Sequence, residues 1–268
     1  MRQTRWFLAF SALLVAFFAQ ASAVSVVGER VIEHEAVPGQ VIHGIIPVFN
    51  HGPTSEGVRL YVTDYTTELP QEHVVVDAGS LEYSSAPWMR LPADEAIVVG
   101  ESGTNLDYRL ELPPDVMDGA YWAVVMVEDA RTQPLGVTSG DAAVQLQHRQ
   151  RIAVRVVVHV RSNRQPVVGQ VTFEGTVVAL HDGRHAMSSD VRNTGRQMLV
   201  LHPRVRLFDV AGVNIGEFDG PSATLLPGAS WRYHVELDRL PQGEYMAVLL
   251  TEDRAGAVFG AQQRLQIR

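Results

Sequence analysis

The chain has no cysteine and no lysine among its 268 residues. Without cysteine there can be no disulfides and no thiolate metal ligands, so each folded unit must be held by its own core. No Gly-x-Ser-x-Gly elbow occurs, and Ser80, Ser84 and Ser85 stand in turns without a His and Asp arranged around them. That removes the familiar nucleophile motifs. No glycine-rich loop opens a helix, and no stretch after residue 23 keeps a helical period, which excludes phosphate-loop chemistry. An excess of positive charge is also missing. The 22 basic residues, all arginine, face 30 acidic ones for a formal charge of -8, which argues against general nucleic-acid binding. The composition favours a non-enzymatic protein without cofactor or metal.

What is present begins with a leader. Arg2 and Arg5 precede an apolar run from Trp6 to Phe18, and Ala21-Ser22-Ala23 follows. This is the layout of a secretory signal peptide over residues 1–23. An uncleaved anchor is the alternative, but the run is shorter than the about 20 residues a membrane span needs. The expectation is a periplasmic or secreted protein with no membrane span in the mature chain.

Period-two alternation then dominates. Residues 57–67 alternate Val58, Leu60 and Val62 with Arg59, Tyr61 and Thr63, a strand with one face inward. Short strands separated by Gly and Pro turns predict an all-β fold. Residues 24–35 read as one first strand, and 131–150 as a long loop. The organising stretch is 110–129, where Asp118-Gly119-Ala120-Tyr121 forms a corner before an apolar strand. In immunoglobulin-like sandwiches a Tyr at this corner bonds back to the upstream backbone. The phrase returns at 235–253, with Gly243 and Tyr245 repeating Gly119 and Tyr121, and Glu252-Asp253 repeating Glu128-Asp129. Val191-Arg192-Asn193-Thr194-Gly195 echoes Val48-Phe49-Asn50-His51-Gly52, and Arg206-Leu207-Phe208 echoes Arg59-Leu60-Tyr61. The prediction is two immunoglobulin-like β-sandwich domains, 24–161 and 167–268, joined by a polar linker at 162–166.

Candidate sites are few. His181 and His185 flank Asp182 but lack a third firm ligand, so a solvated hairpin is the better reading. Glu128-Asp129 and Glu252-Asp253 read as solvated strand ends, since charged residues mostly stay exposed. Tyr83, Trp88, Tyr108, Tyr121 and Trp122 read as core filling. The strand at 149–161 stands out. Ile152, Val154, Val156 and Val158 form an apolar rail, and Arg151 and Arg155 lie on the other face. The bland reading is an ordinary last strand with one solvated face. The functional reading is an edge that exchanges a strand with another protein, with the arginines holding a partner's carboxylate.

Several features together resemble the periplasmic pilus-assembly (fimbrial) chaperones. They are Val48-Phe49-Asn50 closing an early strand, Trp88 before Leu91-Pro92, Leu112-Pro113-Pro114 before the corner, and the alternating strand at 149–161. The Gly119-Ala120-Tyr121-Trp122 phrase is also similar to cell-wall proteins of the WxL-interacting type. The chaperone resemblance implies that the first domain's last strand engages a pilin-like subunit or another envelope protein. It also implies that a basic pair anchors the subunit's terminal carboxylate, with Arg30 early in the chain and Arg155 in place of the family's lysine. The partner-binding set expected on this basis is Arg30, Arg151, Ile152, Val154, Arg155, Val156 and Val158. The alternative is a structural or adhesive envelope component without strand exchange.

Overall fold

The computed structural model describes residues 24–68, 72–130, 133–139, 142–162, 169–181, 184–237, 240–253 and 256–267. The expected leader at 1–23 and most of the expected linker, from residue 163, lie outside them. The strands of the N-terminal half are β1 (Val24–Val26), β2 (Val31–Ala36), β3 (Val41–Asn50), β4 (Glu56–Glu68), β5 (Glu72–Val76) and β6 (Met89–Arg90). They continue with β7 (Glu95–Val98), β8 (Ser102–Glu111), β9 (Gly119–Asp129), β10 (Gln133–Ser139), β11 (Ala142–His148) and β12 (Arg151–Val160). The C-terminal half holds β13 (Val171–His181), β14 (Arg184–Asn193), β15 (Leu199–Phe208) and β16 (Asn214–Asp219). After these come β17 (Ala223–Leu225), β18 (Ser230–Glu236), β19 (Gly243–Glu252) and β20 (Val258–Ile267).

These form two sandwiches, as the alternation predicts. One sheet of the first runs β1-β3-β8-β6, and the other runs β2-β12-β9-β4 with β5 and β7 both on β4. The second has β13-β14-β18 facing β16-β15-β19-β20, with β17 on β15. Inward side chains of both sheets of the first sandwich, among them Ile46, Val48, Leu106, Leu110, Val125 and Val156, make one core. Each fully buried Val or Leu there contributes about 1.5–3 kcal/mol.

The repeat holds at the level of single bonds. Tyr121 Oη donates to the carbonyl of Met117 at 3.0 Å, and Tyr245 Oη to that of Pro241 at 2.8 Å, each four residues upstream. Asn50 Nδ2 donates to the carbonyls of Thr54 and Val98, while its Oδ1 accepts from the Gly52 amide. Asn193 Nδ2 donates to the carbonyls of Gln197 and Leu225, and its Oδ1 accepts from Gly195. Both Asn residues are wholly buried, and this bonding is what makes their burial tolerable.

Three expectations are corrected. Residues 24–35 are two strands on different sheets: β1 pairs with β3, then the chain crosses and β2 runs parallel to β12. Alternation shows which face a residue takes but not which sheet. The expected loop at 131–150 contains the antiparallel pair β10–β11, registered from Gln133 with His148 to Ser139 with Ala142. Its proline, glycines and polar residues hid the alternation of Leu135 and Val137 with Gly136 and Thr138, and of Val144 and Leu146 with Gln145 and Gln147. The third echo is off register. Leu60 lies opposite Val127, six residues past Tyr121, whereas Leu207 lies opposite Ala247, two past Tyr245.

Candidate partner-binding edge

β12 continues the hairpin strand β11 back into the sandwich. On one side it pairs antiparallel with β9 along its whole length, Arg151 with Glu128 through Val160 with Gly119. On the other side β2 covers only Arg155 to Val160. The cover begins where the Arg155 amide donates to the Arg30 carbonyl at 2.8 Å. Backbone groups alternate sides along a strand. Since the Arg155 amide points toward β2, those of Ala153 and Arg151 point the same way, where β2 does not reach. Both residues are exposed. The result is a short edge unpaired among the described residues, a ready template for an added strand.

β2 itself is pinned from both faces. His34 Nε2 and Tyr108 Oη lie 2.7 Å apart and tie it to the opposite sheet. Burial lowers the His34 pKa and pushes that of Tyr108 up to about 12. Glu33 pairs with His159 at 3.1 Å.

The structure divides the expected site residues into two groups. Ile152, Val154, Val156 and Val158 are buried members of the core, so their side chains serve folding and only their backbone is near the edge. The arginines remain on the outer face. Arg155 sits 4.4 Å above the Tyr65 ring, a cation–π contact that orients the guanidinium while leaving its fork open. Arg30 is exposed. Neither makes a salt bridge among the described residues. The chain therefore brings Arg30, the residue just before β2, beside Arg155 on β12.

Arg151 is engaged differently. Glu128, expected to be solvated, is 2% exposed. Its Oε1 accepts from Arg149 Nη1 at 2.7 Å, and its Oε2 from Arg151 Nε at 2.8 Å and from Tyr61 Oη at 2.8 Å. Burial pushes this carboxyl upward. The bonds from Tyr61 and Arg149 and the charges of Arg151 and Arg149 outweigh that, and its pKa lies below the ordinary carboxylate value. Asp253 is also mostly buried, while Glu252 is exposed as expected.

The lower end of the outer face is covered by the second sandwich. Trp122 and Val157 point outward from their sheet, yet both are buried against Leu226 and Ala229, with Met198 alongside. Arg196 clasps the corner. Its carbonyl accepts from the Ala120 amide at 2.6 Å, its Nε donates to the Asp118 carbonyl, and its Nη2 donates to Tyr121 Oη at 2.8 Å. A Cβ on Gly119 would meet the Arg196 carbonyl at 3.0 Å, so the corner glycine also permits this approach. The sequence reading missed Arg196. Its one signal is its place just after the repeated Asn-x-Gly turn. Tyr108, Tyr121 and Trp122 are buried, with Tyr83 and Trp88 partly so against the core, as core filling requires. His185 accepts from the Leu240 amide at 3.3 Å, and Asp182 lies outside the described residues. Among the described residues no three His, Asp or Glu side chains gather as a metal site, and no helix is long and apolar enough to cross a membrane.

No protein-family model and no curated protein matches the chain. Solved structures similar to it include fimbrial chaperones. One is a chain of the chaperone–tip adhesin complex of CFA/I fimbriae biogenesis, with 9% identity over 90% of this chain and 97% of that one, TM-score 0.48. The YadV chaperone shares 10% over 91% and 100%, TM-score 0.45. A chain of the CsuC–CsuE chaperone–tip adhesion subunit pre-assembly complex from Acinetobacter baumannii shares 10% over 91% and 98%, TM-score 0.44. At these identities no residue of this chain inherits a role from them.

Proposed function

We propose that this chain is a non-enzymatic, exported binding protein, pilus-chaperone-like, that engages another envelope protein by strand pairing along the last strand of its first domain. Its domains are then the sandwiches 24–161 and 167–268, with 1–23 as a cleaved leader and 162–166 as the joint. The incoming strand pairs with the open edge at Arg151 and Ala153 and continues along β11. Its terminal carboxylate is held by Arg30 and Arg155. Ile152, Val154, Val156 and Val158 keep β12 in register from the core side, while Arg151 borders the incoming strand. Main-chain bonds supply affinity in this mode, and flanking side chains supply selectivity.

The observation that carries this reading is the Arg155–Arg30 backbone bond, which puts two arginines lacking a carboxylate partner among the described residues where the unpaired edge begins. An anion there gains charge-assisted bonds from planar donors. The test is binding of a synthetic decapeptide with alternating Val and Thr and a free C-terminal carboxylate. Ala153→Pro deletes an edge donor at a position where proline is tolerated. It is expected to weaken binding about tenfold or more, on the scale of one or two lost backbone bonds, with the fold unchanged by circular dichroism. Equal affinity for wild type and Ala153→Pro would contradict strand pairing and leave the structural or adhesive role.

A further inference from the structure

We propose that Glu128 is the positioning residue that aims the β10–β11 hairpin, by fastening the strand that returns from it to the strand that departs toward it. The binding consequence rests on the strand-pairing reading above; the effect on the hairpin does not.

The hairpin stands on a narrow root. β9 ends at Asp129 and β10 begins at Gln133; β11 ends at His148 and β12 begins at Arg151. Among the described residues one backbone bond, from the Asp129 amide to the Gln150 carbonyl at 3.1 Å, joins the two sides within this gap. A two-stranded ribbon is marginal by itself in water, so its direction is set where it joins the sheet. Glu128 lies at that level on the departing side. Arg149 precedes the start of β12 and Arg151 opens it, and the single carboxylate holds both. It therefore spans the irregular step at Gln150. Tyr61, on the neighbouring strand β4, fixes the carboxylate from behind. Arg59, opposite Glu128 in the same row, adds a third positive charge.

The second sandwich supplies the natural control. There β19 ends at Glu252 and β20 begins at Val258, and Asp253 accepts from the amides of Gly256 and Ala257. No hairpin intervenes, and Glu252 is left exposed. Among the described residues the same Glu-Asp pair thus has a buried, arginine-bound Glu only in the copy that carries the extra hairpin.

The test follows amide hydrogen exchange in the whole mature chain for wild type, Glu128→Gln, Tyr61→Phe and Glu252→Gln. With Glu128→Gln, amides of 133–139 and 142–148 are expected to exchange about tenfold faster, the scale of losing bonds to a charged group. Those of β14 and β15 should stay within about twofold, because they belong to the other sandwich, which opens as a separate cooperative unit. Tyr61→Phe should shift the hairpin in the same direction by less, and it decides the matter if Glu128→Gln does not fold. Glu252→Gln should change nothing. The carboxylate peptide should bind Glu128→Gln about fivefold more weakly, since a looser hairpin must be ordered on binding. Unchanged hairpin exchange would overturn the proposal, and so would acceleration spread evenly over all strands. If the wild type fails to bind the peptide while the hairpin still responds, strand pairing falls and the positioning role stands.

Discussion

The two sandwiches share a framework and differ at their ends. Each has a tyrosine bonded four residues back, a buried asparagine bracing three backbone groups, and a central strand carrying the corner. Among the described residues the first alone has a parallel cover strand, since β2 lies on β12 while no counterpart lies on β20. Among them it alone also has the extra hairpin and a buried glutamate at its root. The comparison teaches that the repeated bonds hold the fold, while the unrepeated ones shape an edge. Variants made in pairs, one in each copy, test that division.

The largest effect is expected where the copies agree. Asn50→Ala and Asn193→Ala each remove the side-chain partner of two carbonyls and an amide, all buried around Asn193 and partly buried around Asn50. Each should cost about 3 kcal/mol of unfolding free energy, read by urea denaturation. A large gap between the two would break the equivalence of the turns. Next come the acids. Glu128→Gln should cost about 1–3 kcal/mol by weakening three bonds to a buried carboxylate, whereas Glu252→Gln, at an exposed site, should stay within about 0.5 kcal/mol. Smaller still is the tyrosine pair. Tyr245→Phe removes one bond, about 1 kcal/mol. Tyr121→Phe removes that bond and the one from Arg196, so it should cost about 1 kcal/mol more.

The weakest effect is one of pH. Glu128 faces Tyr61, Arg59, Arg149 and Arg151, and its pKa in the folded chain is lower than in the unfolded one. Its contribution is therefore complete above the ordinary carboxylate range and is lost as pH falls through the depressed value. Stability measured down an acid series should fall less steeply for Glu128→Gln than for wild type, and identically for Glu252→Gln and wild type.

The framework was legible because its signals are local. Gly119 and Tyr121 sit two residues apart at the start of one strand, Asn50 and Gly52 within one turn, and period two marks which face is buried. The shape of the edge was not legible, because it depends on neighbours distant in sequence. Glu128 and Glu252 look alike as letters, and only the strand returning at Arg149 and Arg151 draws one of them inward. The valines of 152–158 read equally well as core or as a binding rail, since alternation is the same for both. Arg30 and Arg155 were expected together through a family resemblance, whereas Tyr65 beneath Arg155 carried no signal, being one aromatic in an ordinary strand. Arg196 belongs to a turn that looks the same in both copies, and its role exists only because the second sandwich packs on the first.

The most direct measurement compares the carboxylate-terminated peptide with its C-terminal amide by isothermal titration, against wild type and Arg155→Gln. Loss of the carboxylate should weaken binding to wild type about tenfold, the scale of one charge-assisted pair, and should scarcely affect binding to Arg155→Gln. Equal affinity of wild type for the two peptides would contradict the account.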